Sequence, residues 1–270
     1  MKLSVCLAAR NGEKYIKQQL QSILDEFANF VRAVEEFEKV QFEIILVDDA
    51  STDRTREVAL KCFKQKVSGA DTYQFVLLEN AKTTGVSAAF ERAIGASTGD
   101  YIFLSDQDDV WVQGRLNLMY KQLSKEKSVQ LVASNYDIFH EGAEGGHQKV
   151  ASFDQKFRLK RTHNGHFGKL KLKLFLKTVP FYGCTLAFKK HLKVAVLPFP
   201  HKVENAYDEW IAYCALSAHT VQVLEENTVL RRMHDNNLTA KKLRKFSSIL
   251  HSRLNSLGLM SVAANRRHRL

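Results

Sequence analysis

Four short apolar segments, separated by segments of helical periodicity, constrain the fold of this chain more than any other feature. The apolar segments span residues 3–8, 42–47, 75–78 and 101–104. Between them, apolar side chains recur at helical spacing over residues 15–24, 53–65 and 87–96. Strands buried on both faces form continuous apolar runs, and parallel strands need helical crossovers. The pattern predicts an α/β fold in which helices flank a mostly parallel central sheet.

The alternation weakens after residue 110. The later segments predicted from pattern are a helix over 116–127, a strand over 129–134, a loop or hairpin tip over 141–146, a helix over 207–218 and a strand over 221–224. Trp210, Ile211 and Cys214 are predicted to face inward. Residues 231–237 are polar and predicted to be irregular. The first helix is predicted to continue through residues 25–39, and Ser51 or Thr52 to cap the helix of residues 53–65.

The positive charge is confined to two segments. The chain of 270 residues has a net charge of +11. Residues 156–193 hold 11 Lys and Arg and residues 241–270 hold eight, with no Asp or Glu in either, so the other 202 residues carry a net charge of −8. A nucleic-acid-binding protein remains an alternative, but the sequence has no helix-turn-helix, zinc-finger or RRM pattern.

Cysteine spacing and hydropathy bear on the compartment. The four cysteines are widely spaced and form no CxxC pair. This arrangement predicts a reduced, cytoplasmic protein without a zinc site. The apolar run near residue 1 is too short for a signal peptide, and no run of about 18 apolar residues predicts a transmembrane helix.

Carboxylates follow two of the four predicted strands. Asp48 and Asp49 come after the second, and Asp106, Asp108 and Asp109 come after the fourth. Because ligands bind at the carboxyl ends of strands in open α/β sheets, we expect both groups to line one crevice. A divalent cation with phosphate oxygens would relieve their mutual repulsion, and Asp-rich turns with helix caps are an equally weighted alternative. The sequence has no P-loop, GxGxxG, GxSxG or EF-hand pattern.

Two further polar groups lie in the second half. Asp208 begins a predicted helix, where the helix dipole favours a carboxylate; the functional alternative is a general base. His234 is a candidate ligand for a metal or a phosphate, and Arg231 or Arg232 is a candidate to neutralise a diphosphate. A solvated loop is the simpler interpretation of each.

Seven segments together carry a resemblance to a known family. They are LSVCLAARNGEKYIKQQLQSIL, FEIILVDDASTDRT, GVSAAFERAIGASTGDYIFLSDQDDVW, YGCTLAFKK, LPFP, YDEW and RRMHDNNLT, in this order between residues 3 and about 239. The chain resembles family 2 glycosyltransferases with the GT-A fold, whose central sheet is Rossmann-like, and is most similar to rhamnosyltransferase-like members that build bacterial surface polysaccharides.

The resemblance implies metal-dependent, inverting transfer of a sugar, such as rhamnose or another hexose, from a nucleotide diphosphate sugar to a saccharide or lipid-linked acceptor. It implies that Asp208 is the catalytic base and that Mn²⁺ or Mg²⁺ is held by Asp106, Asp108 and His234. The implied donor-binding residues are Ala8, Ala9, Arg10, Asn11, Glu13, Asp48, Asp49, Asp106, Gln107, Asp108, Arg231 and His234. The implied acceptor-binding residues are Asp109, Trp111, Gly183, Cys184, Thr185, Glu209 and Trp210.

Two positions depart from the family pattern. Arg10 stands where an aromatic residue often lies near the base, which leaves the nucleobase open. Glu209 follows Asp208 directly and remains a rival for the role of base. A nucleotidyltransferase that makes nucleotide sugars is a further alternative, because such enzymes also use a metal at acidic strand ends.

The chain is predicted to divide into a nucleotide-sugar-binding half over 1–110, an acceptor-binding half of the same domain over 111–240, and a basic amphipathic helical tail over 241–270. One helical face of the tail holds Leu243, Phe246, Ile249, Leu250, Leu254 and Leu257. Such a helix lies in an anionic membrane surface, docks on its own domain or joins a second subunit as a homodimer. The predicted location is the cytoplasm, with peripheral contact at the inner face of the membrane.

Overall fold

The computed structural model describes residues 1–33, 40–67, 72–141, 147–150, 157–201, 203–234 and 246–270. Nine strands are found there: β1 Lys2–Ala9, β2 Gln41–Asp48, β3 Tyr73–Glu79, β4 Tyr101–Asp106, β5 Val110–Trp111, β6 Leu131–Glu141, β7 His147–Val150, β8 Leu186–Lys189 and β9 Val221–Arg232. The helices are α1 Ile16–Ala33, α2 Thr55–Lys66, α3 Val86–Ala96, α4 Arg115–Lys125, α5 Phe167–Phe175, α6 Lys193–Val196, α7 Tyr207–Ser217 and α8 Phe246–Arg266.

The strands form one mixed sheet in the order β3-β2-β1-β4-β8-β6-β9-β5, and β7 pairs with β6 beside this path. The first four strands in this order are parallel, as predicted. Beyond β4 the sheet is mixed, because β8 runs antiparallel to both β4 and β6, and β5 runs antiparallel to β9. The α/β class with helices flanking the sheet is confirmed, and the parallel character holds for the half that precedes residue 107.

The core consists of two layers, one on each face of the sheet. Along β1, Leu3, Val5 and Leu7 pack into one layer and Cys6 packs into the other, as the two-residue period of a strand requires. Both layers contain residues from the first and the second half of the chain. The two halves therefore share one core and fold as a single unit.

Several predicted boundaries differ from the structure. The strand predicted over 129–134 continues to Glu141, and the one predicted over 221–224 continues to Arg232. The two strands pair in parallel over this extra length, so Arg231 and Arg232 end a strand where an irregular loop was predicted. Their polar residues hid the strands, because these ends face a cleft and not the core. The first residue of the loop predicted over 141–146 ends β6, and the helix continuation predicted over 25–39 is found as far as Ala33; residues 142–146 and 34–39 lie outside the described residues.

The first backbone N–H of α2 also has a different hydrogen-bond partner from the one predicted. The cap position is Arg54, which makes no side-chain capping hydrogen bond, so neither Ser51 nor Thr52 caps the helix as predicted. The Thr55 N–H donates instead to Asp53 Oδ1 at 3.0 Å. Asp53 also accepts the Glu13 N–H at 3.1 Å, and this second bond ties the helix start to the loop after β1.

The tail helix α8 docks on its own domain. Ser256, Leu259 and Ala263 are buried on the side that packs against α7. The opposite side carries the leucines that the sequence placed on one face. Residues 235–245, which include Leu243, lie outside the described residues. Among the helices that the structure describes, none has the length and hydropathy needed to cross a bilayer.

Candidate active site

The ends of β1, β2 and β4 meet at one edge of the sheet. Ala9 of β1 pairs with Asp48 of β2, and Ala8 of β1 pairs with Asp106 of β4. The two groups of carboxylates therefore flank the end of β1 within one crevice, as the sequence predicts. Ala9 is buried in one core layer, and Ala8 is partly exposed and packs against the other.

At the end of β2, both carboxylate oxygens of Asp49 accept hydrogen bonds from the protein itself. Its Oδ1 accepts bonds from the Asn80 amide and from the N–H and hydroxyl of Thr84, each at 2.8 Å, and its Oδ2 accepts the Gly85 N–H at 2.9 Å. Burial opposes ionisation, but these donors outweigh it and hold the pKa of Asp49 below its usual value. Asp49 thus anchors the loop that precedes α3.

Asp48, by contrast, keeps a free oxygen. Its Oδ2 accepts the Ser51 N–H at 3.1 Å and lies 3.7 Å from Arg56 Nε. Its Oδ1 is buried and has no hydrogen-bond partner among the described residues. Asp48 lines a cavity of about 500 Å³ whose other walls are Ala50, Ser51, Thr52, Arg56, Glu79, Asn80 and Ala81. A buried acceptor beside an open cavity suits an N–H or hydroxyl donor of a ligand.

The loop after β1 is tied to both carboxylate groups. The Arg10 N–H donates to Gln107 Oε1 at 2.9 Å, and Gln107 Nε2 donates to the Arg10 carbonyl at 3.1 Å. Asn11, in the left-handed region with φ of 50°, accepts the Thr52 N–H at 2.9 Å. Gln107 and Asn11 therefore hold the rim of the crevice through backbone groups, while the Arg10 side chain is exposed.

Glu13 has a similar structural role. Its N–H donates to Asp53, and its Oε2 accepts the Arg54 N–H at 3.0 Å. The side chain thus joins the loop after β1 to the start of α2.

The carboxylates at the end of β4 are crowded and poorly satisfied. Ligand atoms of Asp106, Asp109 and Cys184 all lie within 4.8 Å of one another. Burial, and then the charge of neighbouring carboxylates, raises the pKa of both Asp106 and Asp109. Asp109 Oδ1 accepts the Arg232 N–H at 3.1 Å, whereas its buried Oδ2 has no N–H or O–H donor among the described residues.

Asp108 turns away from this cluster. Its Oδ2 lies 2.8 Å from His234 Nε2, and the His234 ring stacks on Tyr15 with centroids 4.7 Å apart. The structure therefore separates the three predicted metal ligands into Asp106, grouped with Asp109, and the Asp108–His234 pair. Asp106 and Asp108 lie on either side of Gln107, and His234 comes from the segment after β9.

This donor set fits a divalent cation. Crowded buried carboxylates with an unsatisfied oxygen are stabilised by positive charge, and carboxylate oxygens suit Mg²⁺ and Mn²⁺. Burial and the neighbouring carboxylates raise the pKa of Cys184 well above its usual value, and its sulfur is a softer ligand than Mg²⁺ and Mn²⁺ prefer. Asp106, Asp108, Asp109 and His234 are the groups that would hold the ion.

Arginines behind the acids offset part of their charge. The Arg231 guanidinium lies between the rings of Tyr136 and Tyr182, 5.0 and 4.4 Å from their centroids. Arg232, almost fully buried, donates from Nε to the Asp108 carbonyl at 2.8 Å. Successive residues of a strand point to opposite faces of the sheet, so Arg231 and Arg232 at the end of β9 lie on opposite sides of the acids.

The first turn of α7 brings a further carboxylate to the crevice. Tyr207 donates its hydroxyl to Asp106 Oδ1 at 3.3 Å, which fixes the helix start beside the β4 cluster. A Cβ on Gly183 would overlap the Tyr207 hydroxyl, so this close approach requires glycine. Burial, and then the charge of Glu209, raises the pKa of Asp208 to about 7.

Glu209 is held by structural contacts. Its Oε1 lies 2.5 Å from Lys177 Nζ, and its Oε2 accepts the Ser256 hydroxyl at 3.2 Å. Both carboxylate oxygens are therefore engaged, one toward α5 and the other toward α8. One oxygen of Asp208 accepts the Glu209 N–H at 2.8 Å, and the charge of Asp106 contributes to the raised pKa of Asp208, so these two carboxylates lie near each other.

Most of the residues predicted to contact an acceptor lie beneath the surface. Trp210 is fully buried and donates to the Val196 carbonyl at 2.9 Å, and Trp111 donates to the Ser105 hydroxyl at 3.2 Å. Gly183, Cys184, Thr185 and Asp109 are also buried.

Sequence reasoning missed the groups that surround the acids. These are Tyr15, Arg115, Tyr136 and Tyr182, whose contacts join residues far apart in the chain. The buried Arg115 guanidinium lies 4.6 Å from the Trp111 ring and donates to the Thr228 hydroxyl at 2.5 Å. An arginine within an apolar helical face was the only available signal, and alone it does not name a partner.

Comparison with known proteins identifies the class. The family described as Glycosyl transferase family 2 matches residues 4–194, so the chain belongs to that family. An uncharacterized glycosyltransferase of Nostoc sp. is 25% identical over 244 residues, 88% of this chain and 66% of its own length. The Escherichia coli UDP-Glc:alpha-D-GlcNAc-diphosphoundecaprenol beta-1,3-glucosyltransferase WfgD is 24% identical over 139 residues, 51% of this chain and 47% of its own length.

Solved structures share the fold. TarS of Staphylococcus aureus in complex with UDP-GlcNAc superposes with a TM-score of 0.66 and 16% identity, over 98% of this chain and 72% of that one. Glucosyl-3-phosphoglycerate synthase of Mycobacterium tuberculosis, in complex with Mn²⁺, UDP and glucosyl-3-phosphoglycerate, gives a TM-score of 0.55 and 15% identity over 98% and 80%. The predicted GT-A fold is confirmed, and so is the predicted family.

Proposed function

We propose that this chain is a metal-dependent, inverting glycosyltransferase that moves a sugar from a nucleoside diphosphate sugar to an acceptor hydroxyl. The observation that carries the proposal is the meeting of three features in one crevice: an open cavity at the end of β2, crowded carboxylates at the end of β4, and Asp208 at the start of α7. Each supplies one requirement of the reaction, namely a nucleoside site, a diphosphate site and a base.

The nucleoside lies in the cavity at the end of β2. Asp48 Oδ1 is the buried acceptor that an imide N–H or a ribose hydroxyl satisfies. Uridine is the nucleoside we favour, because the structurally similar TarS binds UDP-GlcNAc and the mycobacterial synthase binds UDP. Asp49, Asn11 and Glu13 hold the walls of this site through the hydrogen bonds described above.

The diphosphate lies at the end of β4, beside Asp106, Asp108, Asp109 and His234. A divalent cation bound by these groups would stabilise the negative charge that develops on the leaving diphosphate. Arg231 and Arg232, at the end of β9, lie behind the same acids and limit the charge of the site.

Asp208 is the group that accepts the proton. A pKa of about 7 leaves it ionised in a useful fraction at neutral pH, yet basic enough to take a proton from an attacking hydroxyl. The acceptor oxygen forms its bond to the anomeric carbon as the bond to the diphosphate oxygen breaks on the opposite side. The nucleoside diphosphate leaves, the proton stays on Asp208, and the configuration at the anomeric carbon is inverted.

The acceptor enters on the side of Tyr182. A cavity of about 140 Å³ there is lined by Asn135, Tyr136, Phe157, Arg158, Lys177, Val179, Pro180 and Tyr182. The exposed Phe157 ring suits the apolar face of a sugar, and Arg158 and Lys177 suit its hydroxyls or an attached phosphate. Lys177 also contacts Glu209, the neighbour of Asp208, and this contact supports an acceptor site beside the proposed base.

A lipid-linked saccharide acceptor in surface-polysaccharide synthesis is the class we favour. WfgD acts on a sugar joined to a diphosphoundecaprenol carrier, and TarS is a poly(ribitol-phosphate) beta-N-acetylglucosaminyltransferase. Both acceptors carry phosphate groups, which the basic residues of the acceptor side suit.

The test is a screen of nucleotide sugars for release of nucleoside diphosphate, with Mn²⁺, with Mg²⁺ and with a chelator. The proposal expects release from one uridine diphosphate sugar, which the chelator abolishes and Mn²⁺ restores. Pyrophosphate release from a nucleoside triphosphate and a sugar phosphate would identify a nucleotidyltransferase instead. Undiminished turnover in the chelator would contradict the role of the metal.

A further inference from the structure

Exposed leucines and isoleucine concentrate on two neighbouring helices. Ten large hydrophobic side chains are exposed in the described part of the chain, and six belong to α5, its last turn and α8. These six define the α5–α8 surface: Leu172, Leu176, Ile249, Leu250, Leu254 and Leu257, each 41–60% exposed. Large apolar patches of this kind mark sites of interaction, whereas single exposed leucines are ordinary.

The two helices form one continuous surface. Arg253 of α8 donates from Nη2 to the Leu176 carbonyl at 3.1 Å and from Nη1 to the Phe175 carbonyl. Leu250, Leu254 and Leu257 recur at the spacing of one helical face, opposite the buried face that contacts α7. The leucines of α8 are therefore fixed outward by the docking of the helix on its own domain.

Cations are interleaved with these leucines. Residues 157–177 contain seven Lys and Arg and no Asp or Glu, and residues 246–270 likewise contain no acidic residue. Lys169 and Lys173 are exposed on either side of Leu172, and neither forms an ion pair with a carboxylate of the described residues. Lysine stems cover apolar surface while their ammonium groups reach outward, as at a membrane interface.

The combination of exposed leucines and interleaved cations indicates which kind of partner binds the α5–α8 surface. A second copy of the chain would bring the same lysines face to face with no acidic residue on α5 or α8 to offset them. An anionic bilayer complements both features, because its head groups attract the lysines and its acyl boundary accepts the leucines. Charge complementarity therefore favours a lipid surface over self-association.

We propose that the α5–α8 surface docks the protein on an anionic lipid bilayer. The surface is broader than an amphipathic tail, because α5 supplies leucines and most of the lysines and α8 supplies a rigid apolar ridge. The proposal concerns binding alone and does not depend on the reaction proposed above.

Docking by this surface would also orient the acceptor side. Lys177, just after α5, and Ser256 of α8 both contact Glu209, the residue next to Asp208. The acceptor cavity includes Lys177 and so adjoins the same surface. A head group held at the bilayer would thus reach the crevice from the side on which the protein is bound.

Vesicle flotation of the full chain, without substrates, tests the proposal. The probes are vesicles of phosphatidylcholine alone and vesicles that also contain phosphatidylglycerol. We expect binding to the anionic vesicles, weakened by added salt. The combined change Leu250→Ser, Leu254→Ser and Leu257→Ser should weaken it about tenfold or more, whereas the control Val31→Ser and Leu60→Ser on α1 and α2 should not.

A charge-reversed variant provides an independent measurement. Lys169→Glu with Lys173→Glu should weaken binding to anionic vesicles about tenfold, and the control Lys61→Glu with Lys64→Glu on α2 should change it far less. The charge variant keeps the test valid if the serine variant does not fold. Failure of the unaltered protein to float would overturn the proposal, as would equal losses in test and control variants. A dimer in light scattering that the serine variant dissociates would assign the surface to self-association.

Discussion

The ends of β2 and β4 look alike in sequence and differ sharply in structure. Both are apolar strands followed by consecutive carboxylates. At β2, backbone and side-chain donors surround Asp49 and hold its pKa low. At β4, Asp106 and Asp109 face one another and a thiol, and their pKa values are raised. Consecutive acids in the sequence thus indicate a crevice, whereas the supply of N–H donors decides whether a carboxylate is satisfied within the protein or is left to bind a cation.

The largest expected difference between the satisfied and the poorly satisfied carboxylates concerns catalysis. Asp208 belongs with the unsatisfied group, so Asp208→Asn should lower kcat by about 10²–10⁴-fold, because the amide cannot accept the proton. Nucleotide binding, measured by calorimetry with Mn²⁺, should persist, since the β2 cavity is untouched. Glu209→Gln is the matched control and should retain most of the activity. An inactive Glu209→Gln beside an active Asp208→Asn would exchange the two roles.

The two strand ends should also respond oppositely to loss of charge in the metal-free protein. Asp49→Asn points an amide donor at the existing donors and should lower the free energy of unfolding by about 1–3 kcal/mol. Asp109→Asn should raise it by about 1 kcal/mol. The raised pKa of Asp109 means that its ionisation destabilises the folded state once the pH exceeds the unfolded value of about 3.9, and the amide removes that cost.

Thermal unfolding with a chelator near neutral pH measures both variants, and about 1 kcal/mol corresponds to a Tm shift of about 2–4 °C. Shifts of the same sign in the two variants would remove the distinction between the strand ends.

A smaller effect concerns pH. Burial, and then the charge of Glu209, raises the pKa of Asp208 to about 7, and the base acts only when ionised. Below pH 7, kcat/KM should therefore fall about tenfold for each pH unit, and above it the value should level off. Initial rates of nucleoside diphosphate release across a pH series measure this. A rate that stays constant through pH 7 would mean that Asp208 resembles the satisfied carboxylates, whose pKa is not raised.

The parallel half of the fold was predictable because strands that are buried on both faces form continuous apolar runs in the sequence. The strand predicted over residues 42–47 extends one residue further at each end, and the one predicted over 101–104 extends two residues further at its C-terminal end only. The antiparallel half was less predictable, since β6 and β9 carry polar residues such as Asn135 and Arg231 along the cleft. Apolar periodicity ends where a strand leaves the core.

The candidate site divides in the same way. Asp48, Asp106 and Asp208 were predictable because strand ends and helix starts are visible in sequence and resemblance gave them roles. The satisfaction of Asp49, the grouping of Asp106 with Asp109 and the stacking of Arg231 on Tyr136 and Tyr182 were not. The contacts of Asp49 and of Arg231 join segments more than 30 residues apart, which only folding brings together, and the grouping of Asp106 with Asp109 depends on the local turn after β4.

The Glu209 carboxylate, shared between Lys177 and Ser256, has a consequence for how this protein is prepared. A variant shortened before α8 to improve expression would lose the Ser256 hydroxyl and expose one oxygen of Glu209, one residue from Asp208. Kinetic constants from such a variant would describe an altered helix start. Assays of the reaction therefore require the intact chain, even where the tail itself touches no substrate.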